Sequence, residues 1–183
     1  MTAPTSFTIK IPQTKIDAIM TKVRAYEWQA APEIEEGCDP WDYGTDIKYM
    51  KELCAYWVGD FDWRKAEAGL NAHPQFKTRI DGQEIHFLHV QGSGENPEAV
   101  VLTHGWPGSI FEFYGVINQL AHPEQFGGDA EDGLTLVIPS LPGYGFSAGL
   151  QRPIGPRSTA ALWEKLMRGV LGYDTYIAQG GDW

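Results

Sequence analysis

The chain has 183 residues, enough for one domain with a substantial core. Its composition, 43% hydrophobic with seven Trp and 21% charged, is that of a folded globular protein and excludes a disordered one. A formal charge of −10, with no Lys/Arg-rich tract to offset it locally, argues against nucleic-acid and anionic-lipid partners.

Cys38 and Cys54 have neither C-x-x-C nor zinc spacing, so they read as reduced, packed thiols, with a disulfide between them as the alternative. Met1 to Pro12 lacks the apolar core of a secretory signal. No stretch approaches the roughly 18–20 apolar residues of a membrane span. The expectation is a soluble, cytoplasmic chain.

The N-terminal third is helical in pattern. After a short alternation, Phe7 to Ile11, Pro12 can open a surface helix with Ile16, Ile19, Met20 and Val23 at i, i+3, i+4 and i+7. Residues 29–44, rich in Pro, Gly, Asp and Glu, read as a loop. Thr45 can cap a second helix with a buried stripe of Ile47, Met50, Leu53, Cys54 and Trp57. Asp62 can cap a third, running to about Asn71 and stopped by Pro74.

From Phe76 the period changes to that of strands. Phe76 to Ile80 and Gln83 to Val90 flank Asp81-Gly82, a pair that supplies the positive φ angles of a type I′ hairpin turn. The continuous apolar runs Ala99 to Thr103 and Leu134 to Ile138 read as strands buried on both faces. Helices are expected at Phe111 to Leu120 and near Thr159 to Arg168, and a last strand at Tyr173 to Gln179. This alternation implies an α/β fold with a mostly parallel sheet and helices on its faces.

Two loops follow strand C-terminal ends, where ligands bind in open α/β sheets: His104 to Ser109 and Gly180 to Trp183. The first reads either as an ordinary Gly-Pro turn or as a loop presenting the Trp106 N–H to developing negative charge. Asp182 reads either as a helix cap or as a nucleophile on a sharp strand-to-helix turn, whose neighbours must be small. The two motifs in this order favour the catalytic reading of both, the arrangement of an α/β-hydrolase nucleophile elbow.

Several ordered motifs then coincide: Trp41-Asp42-Tyr43-Gly44, Leu53-Cys54-Ala55-Tyr56-Trp57, Phe61-Asp62-Trp63-Arg64-Lys65, Ile80-Asp81-Gly82, His104-Gly105-Trp106-Pro107-Gly108-Ser109, Pro142-Gly143-Tyr144-Gly145-Phe146-Ser147 and Gly180-Gly181-Asp182-Trp183. Over essentially its whole length the chain resembles the microsomal-type epoxide hydrolases. The resemblance implies a helical N-terminal region over residues 1–75, and over 76–183 the first part of an α/β-hydrolase domain, an incomplete fold truncated at the elbow.

It also implies Asp182 as nucleophile, opening apolar epoxides to diols through an ester. Backbone N–H groups of Trp106 and Trp183 form the oxyanion hole, His104, Gly105, Pro107, Gly180 and Gly181 support the motifs, and Phe146 lines the substrate. No cofactor or metal is implied.

In this fold the acid and histidine follow the nucleophile, and the family's two cap tyrosines do as well, so all are expected to lie beyond residue 183. His73, His86, His89, His104 and His122 precede it and read as structural, and Tyr144 reads as packing in a Pro-Gly turn. The chain alone is therefore expected to lack turnover. Its last strand is expected to form an exposed apolar edge prone to self-association. The competing readings are a non-catalytic fragment that binds a complementary chain and a hydrolase similar to haloalkane dehalogenases, which also use an Asp nucleophile.

Overall fold

The computed structural model describes residues 1–30, 33–147, 149–150 and 152–182. The chain forms two compact units, Ile9–Gly69 and Met1–Thr8 with Leu70–Trp183.

In the helical unit, α1 (Gln13–Arg24) starts after Pro12, whose fixed φ suits a helix entry. The next helix, α2 (Ile47–Gly59), is capped by Asp46 and not Thr45: the Asp46 carboxylate accepts from the Lys48 and Tyr49 N–H groups at 3.0 and 3.3 Å. Asp62 caps α3 (Trp63–Leu70) by accepting from Lys65 N–H at 3.1 Å.

The stripe expected to be buried along α2 is not: no residue of that helix is buried, and Leu53 and Trp57 remain 41% and 40% exposed. Its spacing is right for burial, yet these side chains line an open apolar groove of about 550 Å³ with Ile16, Met20 and Phe61. Cys38 and Cys54 are free thiols.

The second unit is built on a six-stranded sheet of order β1-β2-β3-β5-β4-β6. Its strands are β1 (Thr5–Ser6), β2 (Gln75–Ile80), β3 (Gln83–Val90), β4 (Glu98–Thr103), β5 (Leu134–Pro139) and β6 (Ile177–Gly180). The α/β architecture is as expected and the sheet is mixed. Strand β4 pairs in parallel with β5 and β6, whereas the hairpin and the β3–β5 pairing are antiparallel. Asp81 and Gly82 both take positive φ, 51° and 82°, as the tight turn requires.

Alternation of side chains sorts the core to the two faces. Ile85, Phe87, Val101 and Val137 pack with Leu162, Trp163, Leu166 and Met167 of the C-terminal helix. On the other face Leu88, Val100, Leu102, Leu136 and Ile138 pack with Ile110, Ile117 and Ala121. That C-terminal helix is α5 (Pro156–Glu164), continuing as a π-helical turn over Lys165–Val170.

The helix expected over Phe111 to Leu120 is broken into a 3₁₀ turn, Ile110–Phe113, and α4 (Ile117–Ala121). A capping box between Ser109 and Glu112 starts the first piece, and the Tyr114 hydroxyl donates to Leu70 O at 2.7 Å beyond its end. The last strand is shorter than its apolar run, because Tyr173 and Tyr176 pack against the core below it. All four residues of β6 are exposed at the sheet edge. Among the described residues no helix is long and apolar enough to cross a membrane.

Candidate active site

Parallel pairing of β4 with β6 sets Thr103 opposite Gly180, so the loops leaving both strands emerge side by side at one sheet edge. Asp182 lies two residues beyond β6 with φ at 81°. For a residue bearing a Cβ this left-handed backbone costs about 1–3 kcal/mol and places the side chain where a relaxed turn would not. The Asp182 carboxylate accepts a short hydrogen bond from the Trp106 backbone N–H through Oδ2. The Trp106 indole itself is exposed, and the Trp106–Pro107 bond is cis.

The glycine that makes room for Asp182 is on the facing loop. A Cβ added to Gly105 would lie 2.7 Å from Asp182 Cβ and 2.9 Å from Cγ, whereas one added to Gly181 would meet nothing within 4 Å and one on Gly180 only ordinary contacts to Thr103. Among these three glycines, the close approach to Asp182 that requires a missing Cβ is made by Gly105 on the facing loop. Gly108 is confined in the same way by the Glu112 side chain, which accepts from Ser109 N–H at 3.2 Å.

His104 is buried and both ring nitrogens are engaged. Nε2 accepts from Leu141 N–H at 3.0 Å, and Nδ1 lies 3.0 Å from Gly105 O, to which it must donate. The tautomer is assigned from these partners: an acceptor Nε2 requires the proton on Nδ1. The ring also meets Tyr144 edge-on at 5.6 Å. His104 thus ties the loop bearing Trp106 to the loop leaving β5.

That second loop is anchored by a buried strand histidine whose partners the sequence did not reveal. His86, wholly buried on β3, has Nδ1 2.9 Å from Ser140 Oγ and Nε2 2.8 Å from Gln75 Oε1. The Gln75 amide nitrogen donates to Leu70 O at 2.6 Å, so Oε1 faces the ring and Nε2 carries the proton. Ser147 Oγ accepts from His86 N–H at 3.0 Å and donates to Ser140 O at 2.8 Å. Burial, with a smaller contribution from the Lys77 charge, pushes the His86 pKa down to about 3, so this ring stays neutral. The available signal was a histidine between the apolar Ile85 and Phe87 within β3, where a buried polar side chain must find partners.

Phe146 is not brought to Asp182. Its ring packs on Phe7 and His86 at 5.6 and 5.3 Å. Trp183 lies outside the described residues.

Two cavities meet at the Asp182 carboxylate. One, of about 620 Å³, runs over Tyr144, Leu141, Ile154, Ala160 and Trp163, whose Nε1 donates to Thr103 Oγ1 at 3.1 Å. The other, of about 470 Å³, is bounded by Trp106, Pro107, Glu112, Phe113 and Gln179. Among the described residues no group of three or more His, Cys, Asp or Glu side chains is placed to hold a metal.

The structure thus sets an aspartate at positive φ against a backbone N–H donor on the edge of an α/β sheet. Residues 4–113 match the family model described as epoxide hydrolase N terminus. Epoxide hydrolase 1 of Oryctolagus cuniculus is 42% identical over 146 residues, covering 77% of this chain and 32% of its own. The structure of Aspergillus niger epoxide hydrolase superposes with a TM-score of 0.83 at 35% identity, over 99% of this chain and 46% of that one. The juvenile hormone epoxide hydrolase of the silkworm Bombyx mori gives 0.87 at 32% identity, over 100% and 42%. The chain belongs to the epoxide hydrolase family, and it spans less than half the length of each of these relatives.

Proposed function

We propose that this chain carries the nucleophile side of an epoxide-opening site, with Asp182 as the attacking group. The observation that supports it is the Asp182 carboxylate, held at positive φ between two cavities with one oxygen on the Trp106 N–H. Asp182 attacks an epoxide carbon; the carbon–oxygen bond of the ring breaks, its electron pair stays on oxygen, and that oxygen takes a proton from solvent or a donor. The product is a hydroxyalkyl ester of Asp182. Hydrolysis of that ester passes through a tetrahedral oxyanion, which the Trp106 N–H stabilises, with Trp183 N–H as the second donor. Leu141, Ile154 and Trp163 give the larger cavity an apolar wall, which suits an apolar epoxide.

The second step needs a base to activate water. Among the described residues His104 is the imidazole lining either cavity, and both its nitrogens are committed to the backbone. The 183-residue chain by itself is therefore read as forming the ester without releasing it. The helical unit is read as the family's N-terminal region, and the sheet unit as the first part of its catalytic domain.

The test is intact-mass analysis of the full chain incubated with an aryl epoxide. A single adduct that accumulates, persists and is lost in Asp182→Ala is the expected result. No adduct at any pH, or one that survives Asp182→Ala, overturns the assignment.

A second reading attaches to β6, whose four exposed residues form a sheet edge including the apolar Ile177. Here the chain pairs through this edge with a second copy or a complementary chain.

A further inference from the structure

The Trp106 N–H that meets Asp182 belongs to the same peptide unit as the Gly105 carbonyl. Because that unit is planar, fixing its oxygen fixes its N–H. The oxygen is held by His104 Nδ1 at 3.0 Å, and the proton needed for that bond is placed on Nδ1 because Leu141 N–H occupies Nε2 at 3.0 Å. Leu141 in turn follows Ser140, which is fixed at every polar atom: its N–H donates to His86 O at 2.9 Å, its carbonyl accepts from Ser147 Oγ, and its Oγ meets His86 Nδ1. A chain of hydrogen bonds thus runs from the buried His86 to the Asp182 carboxylate.

We propose that His104 is a positioning residue whose tautomer, set by the Leu141 N–H, orients and polarises the Gly105–Trp106 peptide so that its N–H is aimed at Asp182 and at the oxyanion formed there. The proposal rests on Asp182 being the nucleophile. A hydrogen bond accepted by a peptide carbonyl makes the N–H of the same peptide a stronger donor. A ring with the proton on Nε2 would reverse both contacts, leaving Leu141 N–H facing a donor and Gly105 O facing a lone pair.

The test has two arms, both on the full chain. In the first, long-range ¹⁵N–¹H correlation of the uniformly labelled chain at neutral pH reads the His104 tautomer directly. The Nδ1–H form is expected, and the Nε2–H form overturns the proposal without any variant having to fold. In His104→Leu the Trp106 amide proton moves upfield, and in His104→Asn, whose Nδ2–H can still reach Gly105 O, it falls between the two. An unchanged Trp106 amide in a folded His104→Leu chain refutes the link.

In the second arm, chain carrying the Asp182 ester is treated with hydroxylamine, which attacks the ester carbonyl and forms the oxyanion without needing the protein's own base. Cleavage slows by about tenfold in His104→Leu, less than the 10²–10³ expected for removing an oxyanion donor outright, and Asn restores part of it. Equal cleavage rates in folded wild-type and His104→Leu chains sink the proposal. Absence of any wild-type ester refutes the nucleophile assignment instead, and the tautomer measurement still decides the role of His104 in the loop.

Discussion

Replacing Gly105 with alanine tests the fit between the two loops more sharply than removing either functional group. The added Cβ lies 2.7 Å from Asp182 Cβ, and ordinary contact begins at 3.4 Å, so one side must withdraw by about 0.7 Å. The carboxylate oxygen that accepts from the Trp106 N–H is also the atom nearest that Cβ, and a displacement approaching 1 Å at a reacting group costs about 10²-fold in rate. Adduct formation on Asp182, followed by intact mass against time with an aryl epoxide, should therefore slow by about two orders of magnitude, equivalent to about 2.7 kcal/mol in the barrier.

The thermal melting midpoint should stay close to wild type, because the three atoms nearest the new methyl all belong to Asp182, on an exposed loop. Gly181→Ala, which meets nothing within 4 Å, should slow the reaction far less. A folded Gly105→Ala chain that alkylates at the wild-type rate would refute the argument that this glycine is required by close approach.

Acid should destabilise the fold through His86. Its folded pKa, about 3, lies below the ordinary 6.5, so the unfolded chain binds the proton first. Stability is complete above about pH 6.5 and falls as pH drops toward 3, by about 2–3 kcal/mol at pH 4.5. Urea melts of wild type and His86→Gln between pH 7.5 and 4.5 should differ in slope by close to one proton, and equal slopes would discard the assignment. Ser147→Ala leaves the buried His86 N–H and Ser140 O without their shared hydroxyl, and should lower stability by about 1–3 kcal/mol in the same assay at neutral pH. At the sheet edge, sedimentation velocity should show concentration-dependent association that Ile177→Lys suppresses. A monodisperse wild-type monomer across the range would contradict the pairing.

Those features of the fold that depend on local chemistry were legible in the sequence. Asp81-Gly82 announced its turn because few other pairs supply two positive φ angles, and the runs before Thr103 and Ile138 announced strands because a sheet covered on both faces leaves no polar positions. What was not legible depended on partners far along the chain. The α2 stripe has core spacing but is only partly covered, and periodicity reports an apolar face without reporting what lies against it.

Strand β1 forms at Thr5–Ser6, before the Phe7 to Ile11 alternation, because Phe7 is taken up by His86 and Phe146. At the candidate site, order and spacing singled out Asp182 and the His104 to Ser109 loop, and the structure sets the two side by side. Gly105 as the point of close approach to Asp182, and Phe146 as a partner of His86, emerge only when segments far apart in sequence are brought together.

The pairing of β6 carries a consequence for how the chemistry proposed at Asp182 responds to heating. Asp182 hangs from a strand held to the sheet by four residue pairs, all on one side, and exposed throughout. Such a segment frays at a free-energy cost well below that of unfolding the sheet, so opening is a local event. Chemical competence should then vanish at a temperature where the two-faced core is still intact, and return on cooling. Inactivation and denaturation would be separate transitions in this chain.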